Sequence, residues 1–153
     1  MFHRVIVQIR RFFGLFQPPQ RRQVAALCWR PGDAGPEVML ITTRRNKRWT
    51  PPKGWPMEGR SLAGAAAQEA WEEAGVKGDI SEDAIGVYNY QRRLRGGEMT
   101  APVRVEVFPL QVDRVEDKYP ERGQRKRKWM TPGAAAEAVR EPELKRLIAN
   151  FPA

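Results

Sequence analysis

The sequence has very few of the residues on which many enzymes and many secreted domains depend. Of its 153 residues, one is cysteine and one is histidine. The single cysteine, Cys28, excludes a disulfide bond within the chain, and its apolar surroundings predict a buried structural thiol. The only histidine, His3, lies close to the N-terminus. We therefore expect no catalysis by histidine, and the cysteine usage fits a location in a reducing cytoplasm.

The sequence also lacks a long hydrophobic run. No segment approaches the roughly 20 consecutive apolar residues that a membrane-spanning helix requires. Arginines interrupt the apolar N-terminal segment, which argues against a secretory signal. Its large apolar side chains recur at near-helical spacing, at Phe2, Ile6, Ile9, Phe12, Phe13 and Phe16.

We interpret residues 1–21 as a basic amphipathic N-terminal extension. Its apolar side chains are expected to pack on the domain that follows or on a second subunit, so the protein is predicted to be a monomer or a homodimer. Weak association with a membrane surface is the alternative, because an amphipathic basic helix can lie in the plane of such a surface.

Acidic residues are outnumbered by basic ones. The chain has 27 lysines and arginines against 18 aspartates and glutamates, which gives a formal net charge of +9. A surface of this charge attracts polyanions. The candidates are a polyphosphorylated small molecule, RNA and an anionic membrane, and charge alone does not choose among them.

The most informative stretch runs from Lys53 to Val76. It begins as a loop rich in glycine and proline and continues as a short helix rich in alanine. Ser61 is a favourable N-cap residue, the following residues are strong helix formers, and Gly75 lies where a glycine ends a helix. These signals predict a helix over Leu62–Ala74.

Three acids of this helix share one face and lack basic partners. Glu69, Glu72 and Glu73 stand at positions i, i+3 and i+4, and no lysine or arginine occurs between Leu62 and Val76. Their repulsion and the negative end of the helix dipole together cost about 1–3 kcal/mol. A solvated acidic face is the ordinary interpretation of such a pattern. A divalent cation would relieve the repulsion, and carboxylate clusters suit Mg²⁺ or Mn²⁺.

The same stretch resembles the Nudix box, in which a glycine precedes a group of acids at fixed spacing. Gly54 matches the first glycine of that motif, and the sequence EAWEEAGV at residues 69–76 matches its end with the spacing unbroken. Two positions depart from the motif. Arg60 stands where the family has a glutamate, and Gln68 stands where it has an arginine that helps to orient the box. The three acids at the metal-binding end are retained.

The resemblance implies an α/β protein with the Nudix fold, in which a mixed β-sheet is sandwiched between α-helices. It covers roughly residues 22–150, and we assign residues 22–153 to a single Nudix hydrolase domain.

Hydrophobic patterning predicts the strands of this domain. They are Gln23–Arg30, Glu37–Thr43, Ala84–Arg92 and Pro102–Val112. Proline at position 109 is expected at a bulge or at a sheet edge, because it cannot donate a hydrogen bond. Residues 113–128 are expected to be irregular. A last helix is expected from Thr131 towards Ile148, with a break near Pro142.

The resemblance also implies roles for the acids. Glu72 and Glu73 would be metal ligands, helped by the backbone carbonyl near Gly54. Glu69 would be a further ligand or the base that takes a proton from water. A fourth acid often enters from a late loop in this family, and Glu121 is our choice, with Glu116 and Asp117 as alternatives. The expected cation is Mg²⁺, with Mn²⁺ as the alternative.

The basic residues are expected to bind the substrate, because they resemble those of the diphosphoinositol polyphosphate and diadenosine polyphosphate hydrolases. They lie before the box, at its start and late in the chain: Arg44, Arg45, Lys47, Arg48, Lys53, Arg125, Lys126 and Arg127. The resemblance therefore implies hydrolysis of a diphosphate bond in a highly phosphorylated substrate. The alternatives are removal of pyrophosphate from an RNA 5′ end, hydrolysis of another nucleoside diphosphate derivative, and a non-catalytic module that binds a ligand.

Overall fold

The computed structural model describes residues 21–151, which form eight strands and three helices. The strands are β1 (Arg21–Gly32), β2 (Gly35–Thr42), β3 (Trp49–Thr50), β4 (Lys53–Gly54), β5 (Val76–Ile80), β6 (Gly86–Arg93), β7 (Thr100–Val115) and β8 (Arg127–Met130). The helices are α1 (Leu62–Ala74), α2 (Pro132–Ala138) and α3 (Pro142–Ala149). The predicted N-terminal extension lies outside the described residues except for Arg21.

The strands form one mixed sheet. Its order is β3-β2-β1-β7-β5, with β4 beside β1, β6 beside β7 and β8 beside β2. The central strands β1 and β7 are parallel, and each of the other pairs is antiparallel. Residues 53 and 54 pair with Ala25 and Val24. This pairing fixes the start of the box next to the central strand.

Helices cover both faces of the sheet. Small side chains of α1, including Ala63, Ala66 and Ala70, pack on one face of the sheet with Val24 and Phe108. On the other face, α2 and α3 bury their apolar side chains against alternate residues of β1 and β7. Neighbouring residues of a strand point to opposite faces, so each central strand contributes to both cores. The expected α/β sandwich is confirmed.

The box helix has the predicted bounds and caps. The Ser61 hydroxyl accepts a hydrogen bond from the Gly64 amide, 2.9 Å away, which satisfies a donor of the first turn. Gly75 ends the helix in the left-handed conformation, with φ of 66°. A side chain there would collide with the ring of Tyr119 as well as strain the backbone, so glycine is required on two grounds.

The longest strand and the C-terminal helices refine the predictions. β7 extends to Val115, and Pro109 lies within this strand, where it pairs with Leu27 of β1. On its other side, the pairing with β5 ends at Leu110 and the pairing with β6 ends at Val107, so Pro109 lies at a local edge of the sheet, as expected. Proline is tolerated there because no strand on that side requires its hydrogen-bond donor. The predicted break near Pro142 is confirmed, since α2 and α3 are separate helices.

Two expectations from composition can be compared with the structure. Cys28 is buried in the core beneath α1, and burial raises the pKa of its thiol to about 12. The prediction of a structural thiol is therefore confirmed. None of the helices between residues 21 and 151 is long and apolar enough to cross a bilayer.

Candidate functional site

The start of the box and the end of α1 meet at two glutamates. The backbone N–H of Lys53 donates a hydrogen bond to Oε1 of Glu73 over 2.9 Å, and Glu73 is 7% exposed. The Glu69 carboxylate lies against Gly54, where a Cβ atom would overlap it. Glycine at position 54 therefore leaves the space that this carboxylate occupies.

The second oxygen of Glu73 is held by Arg125. Nη2 of Arg125 lies 2.7 Å from Oε2 of Glu73 and 3.4 Å from Oε1 of Glu121. Its Nη1 donates to the backbone carbonyl of Thr42 over 3.3 Å. Nε of Arg125 is buried and has no hydrogen-bond partner among the described residues. One guanidinium thus ties two acids of the site to the end of β2.

Glu72 is held by side-chain and backbone contacts. Its Oε1 accepts a hydrogen bond from Nε2 of Gln68 over 3.0 Å, one turn earlier in the helix. Its backbone carbonyl accepts from the backbone N–H of Glu121 over 3.0 Å. Gln68 therefore orients a box acid through a neutral hydrogen bond, in a position where the resembling motif has an arginine.

The structure distinguishes the three late acids. Glu121 shares the guanidinium of Arg125 with Glu73, so its carboxylate lies beside the box. Glu116 pairs with Arg114 outside this cluster, at 3.9 Å. Asp117 is 93% exposed and lies 3.5 Å from Arg127. Of these acids, Glu121 is the one whose side chain joins the acids of α1.

The surroundings of two acids, Glu69 and Glu73, favour their protonated forms. Burial is the largest cause that raises the pKa of Glu69, to about 7, and repulsion from Glu73, Glu72 and Glu121 adds to it. Burial also raises the pKa of Glu73, although Arg125 and the Lys53 N–H act in the opposite direction. A nearby cation would stabilise the ionised forms of these two carboxylates.

The donor set suits a divalent cation by its chemistry. Carboxylate oxygens of Glu69, Glu72, Glu73 and Glu121 are the ligand type that Mg²⁺ and Mn²⁺ prefer. Across residues 21–151, however, no three acids, histidines or cysteines are gathered closely enough to form a ready metal-binding group. Arg125 instead bridges Glu73 and Glu121, so a guanidinium supplies the positive charge in this arrangement.

The basic residues predicted to bind substrate fall into three groups, of which the first is the loop between β2 and β3. Arg45, Lys47 and Arg48 are exposed on the loop between β2 and β3, and Arg44 on the same loop donates to Gln124 over 3.3 Å. The structure therefore brings this loop beside the segment that contains Arg125.

The arginines of that segment have internal partners. Nη1 of Arg127 donates to the carbonyls of Ala74 and Glu116, both 2.8 Å away, and so secures the end of α1. Arg125 and Arg127 are partly buried, whereas Lys126 and Lys128 are exposed. This alternation is the signal in the sequence that separates the inward arginines from the outward lysines. A role of Arg125 and Arg127 in substrate binding stays a prediction.

Lys53 contacts both the acids and a polar patch of the sheet, which is formed by Tyr90 and Gln23. Its Nζ lies 3.3 Å from the hydroxyl of Tyr90 and 4.8 Å from the centroid of that ring. The Tyr90 hydroxyl donates to Oε1 of Gln23 over 2.7 Å. Tyr90 and Gln23 are not among the site residues predicted from the sequence, because alternation along a strand does not show which residues of another strand lie on the same face.

Comparison with known proteins places this geometry in a family. A family model described as the NUDIX domain matches residues 19–151. The chain is similar to "Nudix hydrolase 12, mitochondrial" of Arabidopsis thaliana, with 30% identity over 117 residues. That match covers 75% of this chain and 58% of the relative, so the chain spans less than two thirds of the relative's length. It is also similar to "Diphosphoinositol polyphosphate phosphohydrolase 2" of Rattus norvegicus, with 32% identity over 73 residues, which cover 48% of this chain and 40% of the relative.

Solved structures share the fold. An Ap4A hydrolase of C. elegans superposes with a TM-score of 0.60 at 21% identity, over 86% of this chain and 96% of the other. A NUDIX hydrolase from Nitrosomonas europaea superposes with a TM-score of 0.63 at 18% identity, over 86% and 88% of the two chains. At these identities the likeness concerns the architecture.

Proposed function

The chain belongs to the Nudix family, and from this premise we propose that it is a metal-dependent hydrolase that cleaves a diphosphate bond in a highly phosphorylated substrate. The observation that carries the proposal is the group of glutamates around Gly54 and Lys53. The Glu69 carboxylate lies against Gly54, and Glu73 accepts a hydrogen bond from the Lys53 N–H and shares Arg125 with Glu121. The catalytic domain is assigned to residues 22–153.

Three side chains and one backbone carbonyl would hold the cation. Glu72 and Glu73 would contribute carboxylates from α1, Glu121 would contribute one from the late loop, and Gly54 its carbonyl, while Glu69 would be a further ligand only if it were not the base. A bound Mg²⁺ or Mn²⁺ would neutralise the diphosphate and activate a water molecule for attack on phosphorus. The guanidinium of Arg125 would compete with the cation for Oε2 of Glu73 and Oε1 of Glu121.

Glu69 is the proposed general base. Its carboxylate lies against Gly54 at the start of the box and, unlike that of Glu73, forms no ion pair within the described residues. Burial and the neighbouring acids raise the pKa of Glu69 to about 7 in the metal-free protein, and a bound cation would lower it, so that Glu69 is ionised and able to accept a proton. Glu69 would accept the proton that the attacking water loses.

The substrate is proposed to be a diphosphoinositol polyphosphate or a diadenosine polyphosphate. The net charge of +9 favours a substrate with many phosphates. Lys53 lies at the start of the box, and the exposed Arg45 and Arg48 lie on the loop between β2 and β3, which precedes the box in the chain. The similarity to the rat diphosphoinositol polyphosphate phosphohydrolase supports the first of the two substrates.

The test separates and quantifies the phosphorylated products formed from a panel of substrates with Mg²⁺ and with EDTA. The panel contains a diphosphoinositol polyphosphate, diadenosine hexaphosphate, ADP-ribose, a nucleoside triphosphate and 5′-triphosphorylated RNA. The matched variants are Glu69→Gln and Glu58→Gln, because Glu58 is an exposed glutamate of the loop that precedes α1. We expect cleavage of the first two substrates that requires metal, is lost in Glu69→Gln and is kept in Glu58→Gln.

Other outcomes would redirect the proposal. Cleavage of RNA alone would keep the chemistry and replace the substrate class. Ligand binding without turnover of any substrate would indicate a non-catalytic binding module. Localisation stays a prediction, since the cytoplasm is expected from the sequence whereas the names of several relatives specify mitochondria.

A further inference from the structure

An aromatic side chain with two arginines at cation–π distance lies directly after the start of the box. Trp55 follows Gly54 and is 37% exposed. The guanidinium carbon of Arg92 lies 5.2 Å from the centroid of the Trp55 ring, and that of Arg21 lies 5.9 Å from it. These arginines come from β6 and β1, so three separate segments of the chain converge at one exposed surface.

The two arginines keep their charge available to a ligand. Both are exposed, and neither forms an ion pair with another residue in the described range 21–151. Arg22, the next residue on β1, pairs instead with Glu106. A guanidinium group over an indole ring is attracted to the face of that ring. The N–H groups at the edge of the guanidinium stay free to bind phosphate oxygens.

This surface is continuous with the polar patch beside the acids. Arg21 and Gln23 lie two residues apart on β1, and Tyr90 and Arg92 lie two residues apart on β6, so each pair shares a face of the sheet. Tyr90 links the two strands through its hydrogen bond to Gln23. Lys53 contacts Tyr90 with its side chain and Glu73 with its backbone N–H. A ligand can therefore extend from the acids, past Lys53, to Arg92.

We propose that Arg21, Trp55 and Arg92 form a second subsite, which binds a phosphate group that lies beyond the bond to be cleaved. This inference rests on the proposed function, because it assigns the specificity for highly phosphorylated substrates to residues outside the acid cluster. Trp55 orders the two guanidinium groups, and the guanidinium groups bind the phosphate. The subsite favours substrates that have a further phosphate group at a distance from the diphosphate bond that is cleaved.

The test uses inositol hexakisphosphate as the probe, because it has six phosphate monoesters and no diphosphate bond to hydrolyse. Binding to the full chain is measured by calorimetry in EDTA, which removes any contribution of a bound cation. We expect Arg92→Gln to weaken binding by roughly 10-fold, the effect of losing one charge-assisted hydrogen-bonding group. Arg93→Gln is the matched control, since it removes the same charge from the neighbouring exposed residue of β6, whose side chain points to the opposite face.

A second pair of variants tests the role of the ring. Trp55→Phe keeps an aromatic surface for the arginines and is expected to bind nearly as well as the wild type, whereas Trp55→Leu weakens binding. Equal effects of Arg92→Gln and Arg93→Gln, or no binding of the probe by the wild type, would overturn the subsite. Failure of the proposed function has a different signature, because the probe would then bind as expected while no diphosphate substrate is cleaved.

Discussion

The guanidinium of Arg125 lies 2.7 Å from the carboxylate of Glu73, and the two side chains are 10% and 8% exposed. This is a nearly buried ion pair between the late loop and the box helix. The sequence placed Arg125 in a basic run that was expected to face substrate. The structure shows it as the internal counter-cation of an acid that the resemblance assigns to metal binding.

Loss of Arg125 should destabilise the fold. Arg125→Gln leaves Glu73 in a nearly buried position without its cation, and removal of one partner of such a pair costs about 3 kcal/mol. We expect this decrease in the free energy of unfolding at neutral pH, measured by urea denaturation. Lys126→Gln is the control, because it removes a charge from the adjacent exposed residue. Equal stabilities of the two variants would show that the ion pair contributes nothing.

A divalent cation should compensate for the missing guanidinium. In Arg125→Gln, Glu73 and Glu121 lose the positive charge that bridges them, so their oxygens become available to Mg²⁺ or Mn²⁺. A cation at about 100 times its Kd adds about 2.7 kcal/mol to stability. We expect Mn²⁺ to raise the Tm of Arg125→Gln by more than it raises the Tm of the wild type. A smaller rise in the variant would mean that Arg125 does not compete with the cation.

Gly54 should matter for activity more than for stability. A methyl group at this position would displace the Glu69 carboxylate, which is the far end of a flexible side chain, while the backbone can stay in place. We expect Gly54→Ala to lower the rate of diphosphate hydrolysis by about 100-fold, the order of loss that follows misplacement of a catalytic group.

The control for Gly54→Ala is the same substitution at Gly133. A Cβ atom there meets no other atom within 4 Å, so Gly133→Ala should leave the activity unchanged. Both variants are compared by urea denaturation and by phosphate release. A large decrease in the free energy of unfolding of Gly54→Ala would indicate that the backbone moved. The loss of activity would then not be explained by displacement of the Glu69 carboxylate.

The parts of the site that depend on local sequence could be predicted. Spacing alone placed Glu69, Glu72 and Glu73 on one face of a helix, and capping preferences gave its bounds at Ser61 and Gly75. These features depend on neighbours within one or two turns, and short-range rules describe such neighbours well.

The parts that depend on tertiary contacts could not be predicted. The parallel pairing of β1 with β7 joins residues about 80 positions apart, and its register is set by burial on both faces. The direction of the Arg125 side chain is decided by Glu73 and Thr42, which come from two other elements. The alternation of arginine and lysine over residues 125–128 indicates that the two residue types face opposite sides, but it does not say which of them points inward.

The stability of the metal-free protein should decrease as the pH rises. The pKa of Glu69 is raised in the folded protein from 4.5 to about 7, chiefly by burial. Between these values the folded state binds the proton more tightly than the unfolded chain, so ionisation of Glu69 opposes folding and stability falls as the pH rises through this window. Glu73 contributes in the same direction, because its pKa is also raised.

Urea denaturation in EDTA at pH 5, 6 and 7 measures this dependence. We expect the free energy of unfolding of the wild type to decline across the series and that of Glu69→Gln to decline less, since glutamine does not ionise. Glu58→Gln, at an exposed position, should follow the wild type. The same decline in Glu69→Gln as in the wild type would remove Glu69 from the explanation.

Lys53 should affect substrate binding without disturbing the acids. The hydrogen bond from residue 53 to Glu73 is made by the backbone N–H, so Lys53→Gln keeps it and removes only the side-chain charge beside Tyr90. We expect KM to rise by about 10-fold for a diphosphoinositol polyphosphate, because a charge-assisted contact to phosphate is lost, and to rise less for ADP-ribose. Arg140→Gln removes the same charge from an exposed residue between α2 and α3 and should leave both KM values unchanged. An equal rise of KM for the two substrates would show that Lys53 acts on a group they share and does not select for phosphate number.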